Sequence, residues 1–529
     1  MKKTIIRFRA VVLLQVLCLL PTLSAAFAQS QSSFDEFRQR QQAEFNKFKN
    51  DKQAEYDAYR KRLNEQYAEF MRKTWEAFPT HEADEPEKEK TVPPVVYNEP
   101  EPAPQPQPQP QPAPTPEQEP AVEPVPQPAP EPEPKEIPVQ PTVVVVPEPA
   151  PAPEPIAPVK PKEEQPMKRV SVGFYGNIVT ISFPANDNLK IKSLDENSLA
   201  DAWNTLSDSR YDITVKTALD TRKASDLCDW AYMDMLRAVT EKQYGKTNEA
   251  VLMRAYLMSQ SGYRIRLGMT KNKLHMLIAS RYEIYGMRYV TLDGKKFYIT
   301  GNRDDKDMQI CKAQFDKEQS LSLQMSRLPK FGNDPTPKRT LTSRKGVTAT
   351  VSVNKNLIDF MNTYPQASIN GDAGTRWAAY ANTPLEKNVK DALYPTLKKT
   401  ITGMPERDAV GILLNWVQTA FKYGYDDQIW GGDRPFFAQE TLYYPQSDCE
   451  DRAILFSRLV RDLMGLDVVL LYYPGHLATA VAFSSEQKGD WLTYKGRKFI
   501  VCDPTYENAP VGATMPGMDN QKAKMIALK

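Results

Sequence analysis

Residues 443–460 read YYPQSDCEDRAILFSRLV, a turn followed by an apolar periodic run, with a cysteine where the run begins. The period of the apolar residues predicts a helix that starts at or beside Cys449. A cysteine so placed can be a nucleophile, half of a disulfide, or a small buried residue. At a helix N-terminus the dipole is expected to lower the thiol pKa, which favours the first reading.

Working outward, GHLATAVAF (475–483) is a strand pattern that His476 opens after the turn Tyr473-Pro474-Gly475, and KFIVCDPT (498–505) is a second strand that Asp503 follows and Pro504 ends. A thiol needs a base to become a nucleophile, and the base needs an acceptor to fix its tautomer. Cys449, His476 and Asp503 supply these three residue types in that order. If Asp503 faces the site, Cys502 points to the other side of its strand, which disfavours a Cys449–Cys502 bridge. A Cys228–Cys311 bridge stays open.

The blocks SDCEDRAILFSRLVRDLMGL, PGHLATAV and FIVCDPT, in this order, resemble the transglutaminase-like core, a branch of the papain-like thiol enzymes. The resemblance covers roughly residues 400–510. It implies an α+β papain-like fold with Cys449 as nucleophile, His476 as general base and acid, and Asp503 as orienting carboxylate. The implied reaction is acyl transfer through a thioester, with water as acceptor in a peptidase or amidase and an amine in a cross-linking enzyme. The Cys449 amide is one natural oxyanion donor, and Gln446 and Tyr443 just upstream are candidates for the second. Trp430, in DQIWGGDRPFF, is a candidate wall of the substrate groove. No cofactor is expected. Some family members use calcium, but Asp448, Glu450 and Asp451 fit helix capping and first-turn charges better, and no metal ligand set is assigned.

Upstream, the order helix, helix, strand, strand recurs. DWAYMDMLRAVTEKQYG, KTNEAVLMRAYLMSQSGYRIRL, KLHMLIAS and YVTLDGKKFYITGN run parallel to the blocks around Cys449. His275 stands opposite His476 in this comparison, and Lys246 or Thr247 and Gly301 stand opposite Cys449 and Asp503. The fold class expected is therefore α+β with tandem papain/transglutaminase-like domains, 167–320 degenerate and 340–529 catalytic.

Before them lie three segments of other character. Residues 1–28 have the basic start, apolar run and Ala26-Phe27-Ala28 site of a secretory signal peptide. Within 29–80 aromatic residues recur every eleven positions (Phe34, Phe45, Tyr56, Tyr67, Phe78, and Phe37, Phe48, Tyr59, Phe70), which predicts a helix with one aromatic stripe. Residues 81–166 are Pro-rich and are expected to be an extended, disordered linker in which His81 is solvated.

Composition agrees with this layout. Lys+Arg number 68 against 66 Asp+Glu, which leaves no basic footprint for nucleic acid. No segment after the signal peptide is apolar enough to span a bilayer. The expectation is an exported protein, periplasmic, envelope-associated or secreted, whose partner is a peptide or protein substrate. Its N-terminal helix is expected to self-associate or dock on the cell envelope. The rival expectation is a non-catalytic envelope scaffold or binding module that keeps the same fold.

Overall fold

The computed structural model describes residues 38–86, 92–97, 142–148, 150–159, 166–301 and 307–529. Residues 1–28, expected to be a signal peptide, Phe34, Phe37 and most of the Pro-rich stretch lie outside them. The architecture is mixed α+β, with helices packed on two six-stranded sheets.

The C-terminal sheet runs, in spatial order, Trp491–Tyr494, Arg497–Cys502, His476–Ala482, Asp467–Tyr473, Lys524–Ala527 and Thr142–Val145. Its ladders are antiparallel except the last, where Thr142–Val145 runs parallel to Lys524–Ala527. The central strands read as unbroken apolar runs because both faces are covered. On one face Leu470, Leu477, Val481 and Ile500 join the core that holds the helix Cys449–Met464. On the other, Ala478, Ala480, Phe499 and Val501 pack with Leu471 and Met525.

The second sheet runs Tyr289–Leu292, Lys295–Ile299, Leu274–Ala279, Ile265–Met269, Asp307–Cys311 and Trp75–Pro79, antiparallel throughout. The two sheets have the same strand order. In each, a helix (Asn248–Gln260 or Cys449–Met464) leads into the fourth strand of that order, and the edge strand comes from residues far upstream.

Those edge strands differ from the sequence reading. Residues 142–145, TVVV, belong to the stretch expected to be a disordered linker, yet they are built into the sheet, as β-branched residues beside an open edge favour. Residues 92–97 are built in as well. The Val92 amide donates to the Gly475 carbonyl (3.0 Å), the Tyr97 amide to the Glu507 carbonyl (2.8 Å), and the Tyr97 ring meets Tyr506 edge-on. His81 is exposed as expected, but it pairs with Tyr289 through its backbone and stacks on the Tyr289 ring at 5.0 Å.

The aromatic helix extends to residue 71, and Phe78 falls instead in the strand Trp75–Pro79, which ends the eleven-residue repeat. Only part of the stripe is covered. Tyr67 stacks between Trp203 and Phe315, each at 4.5 Å, and Trp203 Nε1 donates to Asn64 Oδ1 at 3.1 Å. Arg60 forms a buried ion pair with Asp212 (3.0 Å) and donates to Gln260 Oε1. Phe45, Phe48, Tyr59 and Phe70 stay exposed. No helix among the described residues is long and apolar enough to cross a membrane.

Cys228, Cys311, Cys449 and Cys502 are all free thiols, so neither the Cys228–Cys311 nor the Cys449–Cys502 bridge is formed.

Candidate active site

Cys449 is the first residue of its helix, and Asp448 precedes it in extended conformation. Asp451, one turn in, reaches back with Oδ2 to accept the Asp448 amide (3.2 Å), while its Oδ1 accepts the Phe436 amide (2.8 Å). That carboxylate does the capping work expected of the acidic residues around Cys449. Asp448, the N-cap, forms a capping box with Asp451, although its Oδ1 is left buried without a hydrogen-bond partner among the described residues; Glu450 is a first-turn acid, and its Oε2 accepts the Cys449 thiol at 3.1 Å.

His476 opens its strand because Pro474 and Gly475 close a tight hairpin in which Tyr473 pairs with His476. Gly475 has φ +76°, a value that L side chains rarely adopt, so the turn depends on glycine there. His476 Nε2 lies 2.8 Å from Asp503 Oδ2. Asp503 Oδ1 accepts the amides of Thr505 (2.8 Å) and Tyr506 (3.1 Å), which leaves Oδ2 for the imidazole. The loop itself hangs on Gln418, whose Nε2 donates to the carbonyls of Asp503 (2.9 Å), Tyr506 (2.8 Å) and Ala509 (3.2 Å). With Asp503 accepting at Nε2, His476 is the Nε2–H tautomer and Nδ1 is its basic nitrogen. Nδ1 is buried and has no hydrogen-bond partner among the described residues. The next amide along the strand, that of Leu477, faces the Cys449 sulfur.

The structure thus brings His476 and Asp503 into direct contact and sets Cys449 against the neighbouring residue, Leu477. The thiol is turned to Glu450 and makes no hydrogen bond to the imidazole. Its acidity also departs from expectation. Burial, and then the carboxylates of Glu450 and Asp448, push the Cys449 thiol well above its ordinary pKa, against the pull of the Leu477 amide. A helix dipole contributes on the order of 1 kcal/mol to a charge at its N-terminus and is outweighed here by desolvation and two adjacent acids. Cys449, His476 and Asp503 are 4%, 2% and 1% exposed, so a substrate reaches them only if part of the surrounding wall moves.

The acids form a cluster of their own. Asp426, Asp448 and Glu450 bring carboxylate oxygens within 4.8 Å of one another, and these are the described residues that could hold a metal ion, of the hard, oxygen-liganded kind. Burial and mutual repulsion make all three hold a proton more tightly than a free carboxyl does. Burial and the charge of Glu450 raise Asp426 to about 8, and burial and Asp433 raise Glu450 to about 7.

A raised carboxyl binds its proton more tightly in the native state than in the unfolded chain, where the pKa is near 4. Its stabilisation is present at low pH and is lost as pH rises through the folded value. Thermal stability should therefore fall between about pH 5 and pH 8, and Asp426→Asn should flatten that fall. Equal slopes in the two melting-temperature profiles would refute the assignment.

Of the remaining candidates, Gln446 pairs with Lys422 and packs its side chain on Gly424, and Tyr443 lies edge-on to Tyr444 at 4.8 Å. Neither hydrogen-bonds to the thiol. Trp430 is 38% exposed, carries the Arg434 guanidinium 4.4 Å over its ring and stands edge-on to Tyr444.

The residue that sequence reading missed is Tyr423. Its hydroxyl is buried with no partner among the described residues, and burial together with Cys449, Asp448 and Glu450 drives its ionisation far upward. A two-residue parallel ladder, Lys422 with Gln446 and Tyr423 with Ser447, brings it there, and no local motif marks it.

The corresponding place in the second sheet is built differently. There the Leu274 amide donates to Asn248 Oδ1 (2.9 Å) at the tip of the helix Asn248–Gln260, as the Leu477 amide faces Cys449. Counting from this contact, and using the pairs Ile278–Tyr298 and Val481–Ile500, Asn248, Lys273 and Gly301 stand where Cys449, His476 and Asp503 do. His275 is displaced by two positions from His476, and Asn248 rather than Lys246 or Thr247 occupies the cysteine position.

No family model, curated protein or solved structure matches the chain.

Proposed function

We propose that the chain is an exported thiol-dependent acyl-transfer enzyme built from two papain/transglutaminase-like domains, in which the second acts on peptide or isopeptide bonds and the first has lost the reactive residues. The observation that carries this reading is the state of His476. One ring nitrogen is held by Asp503, while the other is buried without a partner, next along the strand to the amide that faces Cys449. A histidine kept for packing normally satisfies both nitrogens; one left with a buried basic nitrogen is poised to take a proton.

In the reaction proposed, the thiol swings from Glu450 to Nδ1 when a substrate carbonyl arrives. Nδ1 takes the thiol proton as sulfur adds to the carbonyl carbon, and the C=O electron pair moves onto oxygen. The Cys449 amide, which as the first helical N–H has no intrahelical acceptor, and the Tyr423 hydroxyl are the donors proposed for that oxyanion. Asp503 stabilises the imidazolium, which then protonates the departing amine as the C–N bond breaks and a thioester remains. Water or an amine adds to the thioester, giving its proton to Nδ1, and the proton returns to sulfur as the C–S bond breaks. Because the resting thiol is protonated, base and nucleophile act together in the first step rather than from a stored ion pair.

A second reading, a non-catalytic envelope module, is favoured by the same thiol: sealed, protonated and bonded to Glu450. Under either reading the exposed Phe45, Phe48, Tyr59 and Phe70 make the N-terminal helix the element for self-association or envelope docking.

Turnover of an activated ester by the mature protein, with and without a primary amine, separates the two. The enzyme reading expects release that depends on Cys449 and falls to background in Cys449→Ala, with the amine diverting the acyl group. Equal release by wild type and variant favours the module.

A further inference from the structure

Outside the Cys449 region the molecule holds a cavity of about 740 Å³ at the tip of the helix Asn248–Gln260, in the domain that lacks the reactive residues. Its wall carries Arg237, Lys246, Arg254 and Lys273 against Glu241 and Glu249. Two of these six charges are already engaged. Arg237 is paired with Asp234 (2.5 Å), and Glu249 accepts the Ile191 amide (3.1 Å). Lys246 and Lys273 form no ion pair among the described residues.

Arg254 is the anomaly. It is only 7% exposed, it makes no hydrogen bond or ion pair among the described residues, and its Nε is buried without a partner. Glu241 and Asp234 act on it only at a distance, and Arg237 opposes them.

A buried guanidinium with no counter-charge costs several kcal/mol, and a leucine or methionine would fill the same space without that cost. Such a residue is retained when something absent from the apo protein completes it. The Ala250 amide is capped by Thr247 Oγ1 (3.4 Å), but the Asn248 and Glu249 amides ahead of it point the same way, since a helix N-terminus favours negative charge. Arg254 lies six residues along from Asn248, about 9 Å of backbone rise at 1.5 Å per residue, and a helical side chain leans back toward the N-terminus and so shortens that gap.

We infer that this cavity is a binding site for the oxyanion of a small molecule or peptide end, carboxylate or phosphate, with Arg254 as its buried anchor and Lys246 and Lys273 at its mouth. The inference is independent of the chemistry proposed for Cys449. It gives the domain without reactive residues a recognition role.

Binding of three probes to the full mature protein tests it: inorganic phosphate, a short peptide with a free C-terminal carboxylate, and the same peptide amidated. Calorimetry and thermal shift would be read on wild type, Arg254→Met and Arg254→Lys. Phosphate or the free peptide should bind and raise the melting temperature, with the amidated peptide silent; which of the two binds identifies the source of the oxyanion. Both variants should bind at least about tenfold more weakly: Arg254→Met loses the charge, and Arg254→Lys keeps it but loses the two-pronged guanidinium contact. Arg254→Met should melt higher than wild type without probe, because it removes an uncompensated charge. Failure of both anionic probes to bind the wild type, binding that survives in the variants, or destabilisation by Arg254→Met would each overturn the assignment. Arg254→Lys keeps the charge and secures the comparison if the methionine variant folds poorly.

Discussion

His476→Ala should slow acylation of Cys449 by an activated ester about 10³- to 10⁴-fold at pH 7.5, with the fold unchanged. The size follows from the state of the thiol. Burial and the Glu450 and Asp448 carboxylates hold it protonated, so without a base the fraction of thiolate is very small. Nδ1 of His476, buried and without a partner among the described residues, is the base proposed to take the proton from a thiol that rests on Glu450. Asp503→Asn should cost nearly as much by another route. An asparagine can turn its NH2 toward Nε2, which stabilises the wrong tautomer and leaves Nδ1 carrying the hydrogen. The fold around it is held by Gln418 and by the Thr505 and Tyr506 amides, so circular dichroism and melting temperature should move little in comparison with the rate. Rates within about threefold of wild type in both variants would show that the pair is structural.

The second large effect concerns stability. Trp203→Ala should cost about 3–5 kcal/mol. Trp203 is fully buried, stacks on Tyr67 at 4.5 Å and meets Tyr256 edge-on at 5.3 Å. Its indole N–H is also a partner of Asn64, which with Arg60 and Gln260 forms the polar seam under the N-terminal helix. Loss of the ring therefore opens a cavity and loosens that seam at once. Denaturant unfolding should show the loss, and limited proteolysis should cut near residue 74 faster than in wild type. A cost below about 1 kcal/mol would mean that the helix is held by something other than this contact.

The elements around Cys449 were legible because short-range signals mark them. A turn followed by an apolar 3.6-residue period places the cysteine at a helix tip, and Pro-Gly before the histidine and Pro after the aspartate bound two strands. What stayed hidden depends on partners distant in sequence. Tyr423 comes beside the cysteine through a short ladder, Asp426 meets Asp448 and Glu450 from the start of a four-residue helix, and Gln418 holds the Asp503 loop from a helix more than eighty residues earlier. The edge strand TVVV looked like the end of a Pro-rich tract because its partner, Lys524–Ala527, is almost four hundred residues away. The thiol's acidity was misjudged for a related reason. The helix dipole can be read from the sequence, whereas burial and the convergence of Asp426, Asp448 and Glu450 arise only on folding. The displacement of His275 is a register effect, visible once strand pairs are counted and invisible to block alignment.

The measurement that bears most directly on the central claim is the mass of the protein quenched within seconds of mixing with an activated ester. The account predicts one acyl group per chain, mapped to the peptide carrying Cys449, discharged on adding a primary amine and absent from Cys449→Ala. An unmodified Cys449 peptide, or acyl groups scattered over surface lysines at the same level in both proteins, would contradict it.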